Sequence, residues 1–270
     1  MDSALMNPLV LLGCGDTLTR LALVEAPRGR PVRAVTRDPG RRERLARAGV
    51  ALVSLEEAVA SAAGAEVVIS IPPDAGLDAS LAEALTRARP SRLVYLSSTG
   101  VYGSARGHVD EDTPVQPEAP NARGRLDAEA GYRPLGGIAL RIAGIYGPGR
   151  GMHERVLAGT ARIPESGGGR ISRVHVDDLV EALRVVLERG TPGATYCVAD
   201  DRPATQAETL GWLCARLGVP PPPTVPLASL HPSLRGDRAI SNARLKALGW
   251  RPRYPDFVAG FSVLLADRAG

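Results

Sequence analysis

The run Leu9-Val10-Leu11-Leu12-Gly13-Cys14-Gly15-Asp16-Thr17-Leu18 constrains the fold more than any other stretch, because an apolar segment drives straight into a glycine pair and then into a helical pattern. A strand that turns on two glycines and opens a helix leaves backbone N–H groups pointing at whatever lies above the helix N-terminus, where the helix dipole favours an anion. Gly13, Cys14, Gly15, Asp16, Thr17 and Leu18 are therefore candidates for a pyrophosphate cradle. A plain strand-to-helix turn is the alternative, and Leu18 stands where a third glycine is usual. The segments downstream of the turn decide between the two.

There, short β-branched runs alternate with helical patterns, the signature of a parallel sheet covered on both faces. Strands are expected over 31–36, 50–53, 66–71 and 92–96, with helices over 17–26 and 40–48 between them. Ser54 and Glu57 form a capping box for a third helix, and Ser80 and Glu83 suit a second box in a helix ending near Arg89. Right-handed crossovers bring the strand ends to one edge, so Gly13, Gly15, Arg37, Ile71, Pro72, Ser97 and Ser98 are expected to rim one crevice. Arg37 lies where the ribose of a dinucleotide would rest: an acid there accepts from a 2′-hydroxyl, whereas an arginine pairs a 2′-phosphate. NADP is thus favoured over NAD, the alternative being a solvated loop arginine. Asp38 either reaches the ribose or caps the next helix.

Composition excludes several function classes. The chain of 270 residues is 44% hydrophobic, enough for one sizeable core or two small ones, and one soluble globular unit is the default. The formal charge of +4 comes almost wholly from arginine, with Lys246 the sole lysine, and acidic residues are interspersed with it. No basic block stands out, so no nucleic acid is expected as partner. Cys14, Cys197 and Cys214 are far apart, which fits neither a metal site nor a disulfide framework and suits a reducing cytoplasm. No apolar run approaches the roughly 20 residues of a membrane span, and the first residues lack a signal-peptide pattern. The expected location is cytoplasmic, away from the membrane.

Three further blocks carry the most specific information: R-L-V-Y-L-S-S-T-G-V-Y-G at 92–103, L-R-I-A-G-I-Y-G-P-G-R at 140–150 and R-V-H-V-D-D-L at 173–179. In this order after a glycine-turn strand, and with S-N-A-R-L-K-A-L-G-W-R-P-R-Y-P at 241–255, the chain resembles the extended or atypical short-chain dehydrogenase/reductases, the NAD-dependent epimerase/dehydratase family. The resemblance covers nearly the whole sequence. With the alternating pattern it implies an α/β fold, a doubly wound parallel sheet of Rossmann type with a small C-terminal substrate lobe. The dinucleotide-binding domain is expected over 1–146 and 171–200, and the lobe over 147–170 and 201–270.

The resemblance also implies roles for single residues. Ser98, with Thr99 beside it, takes the place of the hydroxyl that hydrogen-bonds the substrate oxygen, although a serine at a strand end also ties down backbone. The family's proton-transfer pair is a helical tyrosine with a lysine four residues later, whose charge lowers the phenol's pKa and holds the nicotinamide ribose. The helix expected over 121–129 puts Asn121 at the tyrosine and Arg125 at the lysine. An arginine can hold ribose hydroxyls, but Asn121 has no titratable proton. Tyr102 and Tyr132 are the nearest tyrosines in sequence. Arg150 either touches an anionic substrate or is solvated, and 152–161 reads as a short helix with His153 on its surface. His175 reads as structural, Asp178 as a helix cap, and Thr205 with Glu208 as the start of another helix.

These residues leave three functional readings. The first is an NADP-dependent oxidoreductase or epimerase of unusual mechanism on a small carbonyl, sugar or nucleotide-sugar substrate. The second is an NADP-binding sensor without catalysis, and the third a degenerate scaffold that binds no nucleotide.

Overall fold

The opening apolar run is β1 (Leu9–Leu12), buried along its whole length because it pairs on both sides. The computed structural model describes residues 6–230 and 234–266; the outer ends of the two expected domains, 1–5 and 267–270, and the short stretch 231–233 lie outside the described residues. Six more strands complete the main sheet: β2 (Val32–Val35), β3 (Ala51–Leu52), β4 (Glu66–Ile69), β5 (Arg92–Ser98), β6 (Ile138–Ile142) and β7 (Thr195–Val198). Their order is β7-β6-β5-β4-β1-β2-β3. β1 pairs in parallel with β2 and β4, β2 with β3, and β4 with β5. Along β6 and β7 the bonds Ala139 N to Ala194 O and Ala143 N to Val198 O advance together, as in a parallel pair. The order reverses between β1 and β4, the point at which a doubly wound sheet opens a crevice beyond its carboxyl ends.

Helices α1 (Asp16–Glu25), α2 (Pro39–Arg47), α3 (Leu55–Ala60), α4 (Ala75–Ala88) and α5 (Pro120–Tyr132) connect these strands. Local chemistry sets their starts. Asp38 caps α2 by accepting from Arg41 N at 2.8 Å, and Ser54 and Glu57 complete the expected box at α3. The expected box at Ser80 and Glu83 does not form, because Asp74 has already started α4 by accepting from Leu77 N; Ser80 lies mid-helix and donates to Gly76 O. On one face of the sheet Val10, Leu12, Val67, Ile69, Leu93 and Tyr95 pack with Leu81, Leu85, Ala128 and Tyr132. Truncating one of these leucines to alanine would cost about 2–5 kcal/mol.

The chain divides into two compact units. The first comprises Met1–Ser98, Ala119–Arg141 and Leu183–Tyr196; the second comprises Thr99–Glu118, Ile142–Ala182 and Cys197–Gly270. In the first, Glu25 at the end of α1 is buried and receives Arg30 at 3.1 Å and Arg184 at 2.8 Å.

The second unit is built from short pairings. Gly144–Tyr146 lies parallel to Arg173–His175, Gly107–Val109 to Arg238–Ile240, and Ile163–Pro164 to Thr224–Val225. Its helices are α6 (Met152–Leu157), the start of α7 (Val176–Arg189), α8 (Gln206–Leu217), α9 (Ala243–Ala247) and α10 (Phe257–Ala266). Thr205 caps α8 as expected, accepting from Glu208 N. Tyr146, Val156, Leu210, Leu213, Phe257 and Phe261 form its core. A Cβ on Gly260 would stand 1.9 Å from the Tyr146 hydroxyl oxygen, so only glycine admits that ring.

Two expectations change here. His153 is 1% exposed and stacks at 5.3 Å on Phe261, because α6 turns this face into the core. Asp178 is no cap, since α7 begins at Val176; its buried carboxylate accepts from Arg253 N at 2.7 Å and Tyr254 N at 2.9 Å, anchoring the tail. Among the described residues no helix is long and apolar enough to cross a membrane.

Candidate functional site

The glycine turn between β1 and α1 is shaped by its neighbours. Gly13 has φ of +85°, and a Cβ there would lie 2.7 Å from Ile71 Cγ1 and 2.9 Å from Ile71 N. Only glycine lets the turn pass so close to the end of β4. Cys14 N donates to Val35 O at 2.7 Å, which pins the turn to β2, while burial pushes the Cys14 thiol up to about 12 and leaves it unreactive near neutrality.

Gly15 is the N-cap of α1, provides no side-chain cap, and would point a Cβ into open space. The first helical bond is Thr19 N to Gly15 O at 3.0 Å, so the N–H groups of Asp16, Thr17 and Leu18 precede any intrahelical partner. These donors, the helix dipole and the open space fit a pyrophosphate. Asp16 pairs with Arg20 at 3.3 Å, which offsets its negative charge in that first turn. Leu18, in place of the third glycine, is 0% exposed.

At the end of β2 the side chain of Arg37 is exposed and makes no hydrogen bond or ion pair among the described residues. Two more arginines lie in the following turn. Arg41 pairs with Asp38 at 3.2 Å, and its charge also pulls on the Cys14 thiol, while Arg42 Nη1 donates to Thr36 O at 3.3 Å. Together the three make this corner basic. Ser70 N donates to Leu12 O at the end of β4; beyond it Ile71 presses on the glycine turn and Pro72 is exposed.

The serines at the end of β5 differ. Ser97 is buried, and its hydroxyl donates inward to Glu129, which also holds Arg141 at 2.8 Å. Ser97 can therefore offer a ligand its backbone only. Ser98 is half-buried at the last strand position, and Thr99, which opens the second unit, donates to Ile142 O at 3.3 Å.

On α5, Asn121 is exposed and Arg125, one turn later, donates to Leu96 O at 2.6 Å. That bond ties the arginine to β5, the strand that ends in Ser97 and Ser98. The nearest tyrosines are engaged elsewhere: Tyr132 donates to Asp78 at 2.8 Å, and Tyr102 lies 3.2 Å from Cys197 Sγ. Burial pushes the Tyr132 phenol far above its ordinary range, and Asp78 adds to this. Both phenols are thus committed within the fold.

Sequence reasoning missed Arg41, Arg42 and the Ser97–Glu129–Arg141 network. The network had a signal: an arginine within the apolar run Ile138–Ile142 needs a buried carboxylate, and α5 supplies one.

Residues 58–199 match the pattern of the NAD dependent epimerase/dehydratase family. The chain is 34% identical to a 3-diazoavenalumate denitrifying reductase of a Streptomyces species, over 86% of this chain and 91% of that protein. It is 31% identical to Protein YeeZ of Escherichia coli K12, over 62% and 60% of the two chains. Among solved structures, a functionally unknown conserved protein from Silicibacter pomeroyi superposes with a TM-score of 0.87 and 32% identity, over 97% of this chain and 99% of that one. The dTDP-glucose 4,6-dehydratase of Bacillus anthracis in complex with NAD shares the fold, with a TM-score of 0.79 at 21% identity over 97% and 96%.

Proposed function

Since the chain belongs to the NAD dependent epimerase/dehydratase family, we propose that it is an NADP(H)-dependent reductase whose acceptor takes its hydride without a tyrosine acid. The observation that carries this reading is that no tyrosine in the chain is followed four residues later by lysine, while Asn121 and Arg125 stand in those places. The cofactor is a pyridine nucleotide. NADP is favoured because Arg37 has no partner among the described residues, and a charge-assisted bond to a 2′-phosphate contributes about 1.5–3 kcal/mol, roughly ten- to a hundredfold in affinity.

When bound, the dinucleotide supplies the hydride. The N–H groups of Asp16, Thr17 and Leu18 hold the pyrophosphate, with Gly15 leaving room for it. Arg37 orients the ribose phosphate. A guanidinium offers donors and no acceptor, so Arg125 holds ribose hydroxyls. Ser98 offers a hydrogen bond to the acceptor, but its hydroxyl is too weak an acid to serve alone.

Reduction of a carbonyl needs a proton on oxygen, which these residues do not deliver. Reduction of a diazonium carbon does not: the hydride's electron pair becomes the new C–H bond, the C–N pair leaves with N2, and the charges cancel. The similarity to a denitrifying reductase of a diazo compound supports an acceptor of this kind.

The test is single-turnover NADPH oxidation with an aryl diazonium salt against a panel of aldehydes, ketones and nucleotide sugars. Oxidation with release of N2 only in the first arm is expected. Fast oxidation with a carbonyl substrate that survives Ser98→Ala would refute the reading, since the proton would then come from another residue.

A further inference from the structure

The second unit contains a cavity of about 310 Å3 whose lining includes Arg150, Arg155 and Arg173 together with Tyr146, Met152 and Phe261. Among the described residues no aspartate or glutamate lines it. A smaller cavity of about 150 Å3 shares Met152 and Arg155 with it and also lacks a lining carboxylate. In this chain, where Arg20, Arg30, Arg141, Arg184 and Arg244 all pair with acids, three arginines around one apolar space stand out.

The three differ in what the fold asks of them. Arg150 and Arg155 are exposed, and their guanidinium groups make no hydrogen bond or ion pair among the described residues. Arg173 is 5% exposed; it donates to Ile171 O at 2.9 Å and Ala204 O at 3.3 Å, and lies 3.3 Å from Met152 Sδ, with no carboxylate among the described residues within ion-pair distance. Two acids act on it from a distance, Asp200 and Glu208; the first is 2% exposed, and burial pushes its carboxyl up to about 8 against the pull of Arg173. Among the described residues the guanidinium is met only by backbone carbonyls and a thioether. Leaving a buried cation in that state is costly unless an anion joins it.

We propose that this cavity binds a small organic acid, with an apolar, aromatic-sized body against Tyr146, Met152 and Phe261 and a carboxylate held by Arg150, Arg155 and Arg173. The planar forks of arginine suit a carboxylate, and the volume is at the small end of ligand pockets. The proposal concerns binding alone and goes beyond the reductase reading, on which it does not rest.

The experiment is calorimetric titration of the full chain with trans-cinnamate, its neutral amide cinnamamide, UDP-glucose and NADP+ in parallel. Cinnamate is expected to bind at least tenfold more tightly than cinnamamide. The exposed pair Arg150→Ala and Arg155→Ala should together remove at least tenfold of the cinnamate affinity while leaving cinnamamide and NADP+ binding unchanged, and Arg155→Lys should restore part of it. No binding of cinnamate at millimolar concentration, equal binding of acid and amide, no loss in the double variant, or tighter binding of UDP-glucose lost in the same variant would each overturn the proposal. Acid binding that depends on the arginines without any NADP+ binding would support the pocket and overturn the cofactor reading.

Discussion

Arg37→Ala tests the cofactor assignment with little disturbance to the fold. The side chain is exposed and unpaired among the described residues, so its removal should change stability by no more than about 0.5 kcal/mol, as for surface sites without special contacts. If Arg37 meets a 2′-phosphate, the variant loses a charge-assisted bond of about 1.5–3 kcal/mol, which is a ten- to hundredfold loss for NADP+ and none for NAD+. Arg41 and Arg42 lie in the same corner, but one is paired with Asp38 and the other holds Thr36 O, so neither readily replaces Arg37 and the loss belongs toward the upper end of that range. The preference should also shrink in 1 M salt, where the Debye length falls to about 3 Å. Calorimetry with both cofactors on wild type and variant decides it. Equal affinities in the wild type, or an unchanged preference in the variant, would show that Arg37 is only a solvated arginine.

Other positions carry expected outcomes of their own. Gly15→Val should fold normally, since its Cβ meets open space, yet lose dinucleotide binding, whereas Gly13→Ala should melt earlier because of its positive φ and the contact with Ile71; thermal melts with cofactor titration separate the two. Asn121→Tyr with Arg125→Lys restores a pair one helical turn apart, and NADPH oxidation with ketones should rise well above the wild-type rate; no gain would mean that more than this pair is missing. Burial raises the Glu25 carboxyl, but hydrogen bonds and charges of Arg184 and Arg30 outweigh it and hold the net value below the ordinary range. The folded form thus binds its proton less readily than the unfolded chain, so this stabilisation is present above the unfolded pKa and lost as pH falls through the folded one. Urea melts between about pH 6 and 3 should show that acid loss reduced in Glu25→Gln.

How far the sequence was legible depends on whether a signal was local. The pattern of a capping box occurs at Ser54, Ser80, Asp178 and Thr205. It caps a helix at Ser54 and Thr205, where the preceding backbone is extended and the first N–H groups are free to be accepted. At Ser80 and Asp178 the helix has already begun, so no free helical N–H remains. Ser80 turns back to Gly76 O, and Asp178 accepts from the tail. The glycine turn and the parallel strands were legible because spacing along the chain determines them. The fate of Ser97 was not, because its partner Glu129 lies 32 residues away on a helix and only packing brings the two together.

Arginine shows the same division, and it bears on function. Charge and composition do not sort the arginines, and only a few, such as Arg37, Arg125 and Arg150, stand out by their place in the sequence. The structure sorts them by what each is needed for. Arg30, Arg141 and Arg184 neutralise buried acids, so the fold uses them fully. Arg37, Arg150 and Arg155 have no such task among the described residues, and a guanidinium that the fold does not use is available to an anion from outside. Arg125 lies between these classes: one nitrogen donates to Leu96 O, while its planar fork retains donors beyond that bond. A lysine there would have three donors on one rotatable nitrogen and no fixed plane, whereas Arg125 is fixed to β5 through Leu96 O. That fixed fork of donors favours orienting a ligand. It suits the acceptor proposed above, which has to be held in place and takes a hydride without a proton.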